Sequence, residues 1–215
     1  MNGFLAIIMR DVRSAYGNGG VWLPIIFYLC VATLFPFAVG PDQKLLGLTG
    51  GGILWIAALL ATLLPIDRLI MPDQEQGVLD QLVIRGYSDE LIATAKIIAH
   101  WLSFGPPLLL ATIAASALMG LDGPSFHVVM TGLAIATPAL ASLAVMVSSL
   151  TAGLRGAGAL GGLLLVPLAI PILIFGAGAL TDEGNSALQL LAATCLLIFA
   201  ISPFAAGAAL RAGRE

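Results

Sequence analysis

Six long apolar runs constrain this 215-residue chain more than any other feature of its sequence. A helix needs about 20 apolar residues to cross the hydrocarbon core of a bilayer, and each run is long enough. Of all residues, 59% are hydrophobic and only 10% are charged, an excess that a core of this size cannot bury. We therefore predict an all-α integral membrane protein, with residues 1–215 forming a single transmembrane domain. The six predicted spans are Val21–Gly40, Leu45–Ile66, Leu91–Met119, Val128–Leu150, Leu160–Leu180 and Ala187–Ala206.

Basic residues are distributed unevenly between the two sides of the predicted bundle. Of nine Lys and Arg residues, only Lys44 falls on the side of the three short loops. Because cytoplasmic loops of membrane proteins carry an excess of Lys and Arg, the opposite side is predicted to be cytoplasmic. That side holds both termini and the long segment 67–90. Its cations are Arg10, Arg13, Arg68, Arg85, Lys96, Arg155, Arg211 and Arg214.

Residues 1–20 precede the first span and contain an amphipathic pattern with helical spacing. Such a helix can lie in the headgroup layer of the membrane before the chain turns into the bilayer. The alternative is a basic flank that only sets the orientation of the first span. The predicted apolar face consists of Phe4, Leu5, Ile8, Met9, Val12 and Tyr16, and the polar face of Arg10, Arg13 and Ser14.

Segment 67–90 holds six of the 12 acidic residues and does not span the membrane. Pro72 and Asp73 predict the start of a short helix, with Asp73 as its N-cap and Glu75 in its first turn. Gly86 predicts its end, because glycine is common just past the last helical turn.

The predicted helix in this segment has an apolar stripe opposite its acidic residues. Ser88 then predicts the N-cap of the next helix, which continues into the third span. The stripe suits docking into a groove on a cytoplasmic partner. Alternatively, and equally well, the stripe can pack over the cytoplasmic ends of the spans. The stripe consists of Val78, Leu79, Leu82 and Val83.

The sequence shows no catalytic motif. The glycine runs lie in apolar helices without the lysine of a phosphate-binding loop, and neither cysteine has metal-site spacing. The spans hold almost no carboxylates, which argues against an ion-driven carrier. His100 and Trp101 lie in the third span and form a candidate intramembrane polar site. His100 is either a haem or metal ligand there or a hydrogen-bonded structural residue. We predict no catalytic residue, no metal site and no nucleic-acid partner for this chain.

Short motifs along nearly the whole chain form a specific set when taken together. They are Thr33–Phe37, Gly40–Pro41, Gly52–Leu60, Asp67–Leu69, Asp73, Gly77, Leu79, Gln81–Leu82, Ala95–Lys96, Ala99–Trp101, Pro107–Leu108, Thr137–Pro138, Pro167–Pro171 and Ser202–Phe204. This set resembles the motifs of the haem exporter protein B (CcmB) family. One departure is the stretch Ile84–Tyr87, where the family pattern has a turn rich in Pro and Leu.

The resemblance implies a permease subunit of an ABC transporter in the bacterial inner membrane. Its partners would be an ATPase subunit (CcmA), which binds ATP and Mg²⁺, together with CcmC, CcmD, the haem chaperone CcmE and a second copy of this chain. ATP hydrolysis in the partner would drive release of haem-loaded CcmE, with haem as cargo of the complex rather than a cofactor of this chain. The implied coupling residues are Asp67, Arg68, Asp73, Glu75, Gly77, Leu79, Asp80, Gln81 and Leu82. The alternatives are an ABC permease for another hydrophobic substrate and a membrane scaffold that transports nothing.

Overall fold

The computed structural model describes residues 2–40, 42–154, 156–181 and 184–214. Those residues form ten α-helices and no β-strand. Arg155, one of the cations used to predict the topology, lies outside the described residues. The helices are α1 (Asn2–Gly17), α2 (Trp22–Val39), α3 (Gln43–Leu63), α4 (Ile66–Leu69), α5 (Met71–Glu75), α6 (Val78–Ile84), α7 (Asp89–Leu118), α8 (Gly123–Thr151), α9 (Ala157–Gly178) and α10 (Gly184–Ala212).

Six of these helices, α2, α3 and α7 to α10, are long and apolar enough to cross a membrane, which confirms the predicted spans. The chain is a multi-pass membrane protein. Three spans extend further than their apolar runs, because α7 begins at Asp89, α8 begins at Gly123 and α10 continues to Ala212. The starts of α7 and α8 are fixed by capping. The Leu91 amide donates to Ser88 Oγ at 3.3 Å, and Asp122 caps α8 in the same way.

Helix α8 lies at the centre of the bundle and packs against α3, α7, α9 and α10. Small residues allow this close packing, as expected where helices associate within a bilayer. Trp55 of α3 is 1% exposed and is enclosed by Gly132 of α8 and Gly176 of α9. Most of the surface of α2, α9 and α10 is exposed and apolar, which suits contact with lipid.

Helix α1 and the last turn of α10 lie at the same end of the bundle. Helix α1 packs along the first turns of α7, and the last turn of α10 reaches the start of α7. The short helices α4, α5 and α6 lie there too, so we call this the charged end. At the opposite end, Gly120 lies beside Gln43. Which end faces the cytoplasm stays a prediction.

The apolar face of α1 is divided between the protein and its surroundings. Ile7 and Ile8 are buried in an apolar cluster that also includes residues of α6, α7 and α10, and Ile7 was absent from the predicted face. Leu5, Met9 and Tyr16 point outward and are about half exposed. This division suits a helix that lies between the bundle and the headgroup layer, although its membrane position stays a prediction.

The single short helix predicted after Pro72 is wrong in its detail. The segment folds as two helices, α5 and α6. Gly77 adopts a left-handed conformation with φ 67°, which ends α5 and separates it from α6. Asp73 lies inside α5 rather than at its N-cap, and Glu75 is the last residue of α5. The predicted end is confirmed, since α6 stops at Ile84 and Gly86 has φ 87°.

Candidate functional site

The apolar stripe of α6 faces the protein itself. Leu79 and Leu82 are 3% and 8% exposed. They pack in one apolar cluster with residues of four other helices. The stripe therefore covers the charged end of the spans. The cluster around them includes Ile7, Ile8, Ile70, Ile92, Ala93, Ala206 and Leu210.

The opposite side of α5 and α6 is exposed and mixes acidic, polar and apolar side chains. We call this the outer surface, formed by Glu75, Asp80, Gln81 and Ile84. Ile84 is 84% exposed, the highest value among the large hydrophobic residues of the described chain. Asp80 lies one helical turn before Ile84. An exposed apolar side chain outside the spans is a typical anchor for a protein partner.

A cluster of four charges joins α5 to α7 and α1. Lys96 of α7 is 7% exposed at its side chain and forms ion pairs with Asp73 of α5 and with Asp11 of α1, the latter at 3.0 Å. Arg10 of α1 also pairs with both carboxylates, at 2.6 Å to Asp11 Oδ1. We call these residues the four-charge cluster. Its two cations balance its two carboxylates, which is the condition for keeping charges partly buried.

The cluster favours the charged form of Asp73. Burial raises the pKa of this carboxyl, but the charges and hydrogen bonds of Lys96 and Arg10 outweigh burial. The pKa of Asp73 therefore lies below its ordinary value of 3.8. Burial lowers the pKa of Arg10, and Asp11 and Asp73 raise it by more. Both groups are thus charged at neutral pH.

A second set of ion pairs ties the end of α10 to the start of α7. Arg211 pairs with Glu90 at 2.7 Å, and Arg214 pairs with the buried Asp89 at 2.5 Å. Arg214 approaches Asp80 of α6 only to 3.9 Å. These contacts hold the C-terminal turn in place but make little connection to the outer surface.

A cavity of about 460 Å³ opens beside the four-charge cluster, between α1, α2, α5 and α7. Asp73, Lys96 and Arg68 line it near the charged end, and His100 and Phe104 line it deeper along α7. The His100 ring stacks on Phe104 with centroids 5.6 Å apart. Its Nε2 atom is buried without a hydrogen-bond partner among the described residues. Such an atom costs free energy, on the order of 1–3 kcal/mol.

His100 and Trp101 do not form one site. Trp101 lies on another side of α7, where its indole N–H donates to Thr137 Oγ1 at 3.3 Å. There it lines an almost wholly apolar groove of about 610 Å³ between α7, α8 and α10. Within the described residues, no group of three or more His, Cys, Asp or Glu side chains is arranged to hold a metal ion.

The remaining predicted residues occupy separate positions at the charged end. Asp67 is exposed and lies against Gly158 of α9, since a Cβ on that glycine would come within 2.5 Å of Asp67 Oδ2. Arg68 is exposed at the mouth of the cavity. Gly77 forms the joint between α5 and α6. The structure thus separates the predicted coupling residues into an outer group, an inner group and a joint, with Asp67 and Arg68 apart from all three.

Four residues that define this region had no predicted role in it: Arg10 and Lys96 as partners of Asp73, Asp11 as the second carboxylate, and Ile84 on the outer surface. The position of Lys96 could have predicted an ion pair, because a lysine two turns inside an apolar helix requires a charged partner. The position of Ile84 was also informative, since this apolar residue lies outside the apolar stripe of its own helix.

Comparison with known proteins now assigns the family. The family described as CcmB protein matches residues 2–213, nearly the whole chain. The chain belongs to the CcmB family. This confirms the resemblance drawn from its motifs.

Members of the CcmB family with similar sequences cover almost the entire chain. Heme exporter protein B of Bradyrhizobium diazoefficiens is 40% identical and covers 100% of both chains. The protein of the same name from Paracoccus denitrificans is 42% identical, over 96% of this chain and 97% of that one. That of Escherichia coli K12 is 36% identical, over 97% of both. The same architecture is therefore expected throughout these relatives.

Proposed function

We propose that this chain is the permease subunit of an ABC transporter complex for cytochrome c maturation. ATP hydrolysis by a partner ATPase, CcmA, would drive release of haem-loaded CcmE and so deliver haem beyond the inner membrane. CcmC, CcmD and a second copy of this chain would complete the complex. Membership of the CcmB family and the name of its relatives, heme exporter protein B, support this assignment.

The exposure and composition of the outer surface of α5 and α6 give the main support for this proposal. This surface lies outside the spans, at the end where most of the described basic residues lie. Its acidic residues suit a basic groove on the ATPase, and Ile84 supplies an apolar anchor. Leu79 and Leu82, which are buried in the apolar cluster, would support this surface from beneath rather than form it.

The first experiment replaces Ile84 with Asp and asks whether the ATPase still co-purifies from detergent. Because Ile84 is already exposed, the fold should tolerate the change, while the apolar anchor is lost. We expect ATPase recovery to fall about tenfold, since a central interface residue is often worth more than 1.4 kcal/mol. Arg13→Ala, at an exposed residue of α1 outside this surface, is the matched control.

Other outcomes identify the alternative functions. If no ATPase co-purifies with the unaltered chain, it is a scaffold. If the ATPase co-purifies but cells lacking the chain still mature cytochromes c, the substrate is another hydrophobic compound. Normal ATPase recovery with Ile84→Asp would place the docking surface elsewhere.

A further inference from the structure

Helix α5 contributes to two opposite faces of the charged end. Successive residues of an α-helix are rotated by about 100°, so residues two apart lie on nearly opposite sides. Glu75 belongs to the outer surface and is exposed. Asp73 points inward and pairs with Lys96 and Arg10. One short helix therefore connects the outer surface to the interior of the bundle.

The inward contact of Asp73 reaches a lysine two turns into α7. Lys96 lies seven residues after the start of α7 at Asp89, which corresponds to about 10 Å along the helix axis. Through Asp11 the same lysine contacts α1, which packs along α7. A displacement of α5 along the direction of this ion pair thus acts on two further helices at once.

The other attachments of the outer surface are less directional. Helix α6 is held by Leu79 and Leu82, whose apolar contacts have no preferred direction. Its closest ion pair, Asp80 with Arg214, has a separation of 3.9 Å, and the Asp80 side chain is 62% exposed, so it contributes little. Gly77 leaves α5 and α6 as separate helices. Of these attachments, the four-charge cluster is the one that is both short and directional.

We propose that the Asp73–Lys96 ion pair transmits movement of the docked outer surface to α7 and α1. Asp73 and Lys96 are then positioning residues for transport and do not themselves bind the cargo. This inference rests on the proposed function, because it requires an ATPase that moves α5. It goes further by assigning the transmission to one ion pair.

The test uses a double variant that keeps the cluster balanced. Replacing either residue alone leaves a partly buried charge without its partner and is expected to destabilise the protein. Asp73→Asn together with Lys96→Met removes one charge of each sign and leaves Arg10 paired with Asp11. We expect this double variant to insert, to bind the ATPase and to hydrolyse ATP, while mature cytochrome c falls about tenfold, within the usual range of a coupling free energy.

A matched control removes another ion pair from the same end. Arg211→Gln with Glu90→Gln also deletes one charge of each sign, between α10 and α7, without touching α5. It should mature cytochrome c normally. Lys96→Arg keeps the cation and should retain most activity. A melting temperature in detergent reports the fold of every variant.

Three results would overturn the inference: normal maturation in the Asp73→Asn/Lys96→Met variant, an equal loss in the control, or loss of ATPase binding in the double variant. The proposed function fails separately, if the unaltered chain does not bind an ATPase or if its deletion leaves maturation unchanged.

Discussion

Trp55 depends on two glycines that leave room for its ring. A Cβ on Gly176 would lie 2.5 Å from the ring, and one on Gly132 would lie 2.7 Å from it. We predict that Gly176→Ala destabilises the protein by about 1–3 kcal/mol, the usual cost of overpacking a core. Gly162→Ala in the same helix is the control, because a Cβ there meets nothing within 4 Å. The measurement is the thermal unfolding midpoint in detergent, and equal midpoints for the two variants would contradict the prediction.

Residue-level contacts were the least predictable part of the candidate site. Asp73 lies 23 residues before Lys96 and 63 residues after Arg10, so their meeting depends on how three helices pack. Helical spacing relates residues three or four apart and says nothing about such separations. The sequence therefore placed Asp73 among coupling residues, a role that stays a prediction, and could not show its inward orientation.

The fold of segment 67–90 was predictable at its ends but not in its middle. Ser88 and Gly86 follow the ordinary capping rules, and both caps are confirmed. Gly77 obeys the same rule for helix ends, yet the apolar stripe that follows it favoured one continuous helix. The burial of the stripe could not be derived from spacing, because an amphipathic helix suits its own bundle as well as a partner.

Helix α6 is expected to be sensitive on its inner side and tolerant on its outer side. Leu79→Ala removes a buried side chain from the apolar cluster and should cost about 2–5 kcal/mol. Ile84→Ala, in the same helix, should cost less than about 0.5 kcal/mol, because Ile84 is exposed. Thermal unfolding in detergent compares the two. A larger loss with Ile84→Ala would mean that α6 is seated the other way round.

At the scale of the whole molecule, the number of spans followed from the sequence because lipid imposes a simple rule. A chain segment in hydrocarbon must satisfy its own backbone hydrogen bonds, so each apolar run of sufficient length becomes a helix. This rule did not predict the polar extensions of α7 and α10, because a cap and ion pairs stabilise those turns. The packing order of the helices depends on side-chain fit and was not predicted.

The orientation of the bundle follows from its charge distribution and can be measured directly. Apart from Lys44 at the opposite end and Arg155, which is not described, the Lys and Arg residues lie at the charged end. We expect this end to be cytoplasmic. The test compares Gln81→Cys at the charged end with Gln43→Cys at the other, both exposed positions, after replacing Cys30 and Cys195 with Ala.

A maleimide that cannot cross the membrane holding this protein should label the cysteine introduced at position 43 in intact cells. The cysteine introduced at position 81 should react only after the membrane is opened, because the bilayer separates it from the reagent. Neither substitution changes the number of charges, so the bias that sets the orientation is preserved. Labelling at position 81 in intact cells would show that the orientation is the opposite of the predicted one. The outer surface would then face away from any ATPase, and both proposals would fail together.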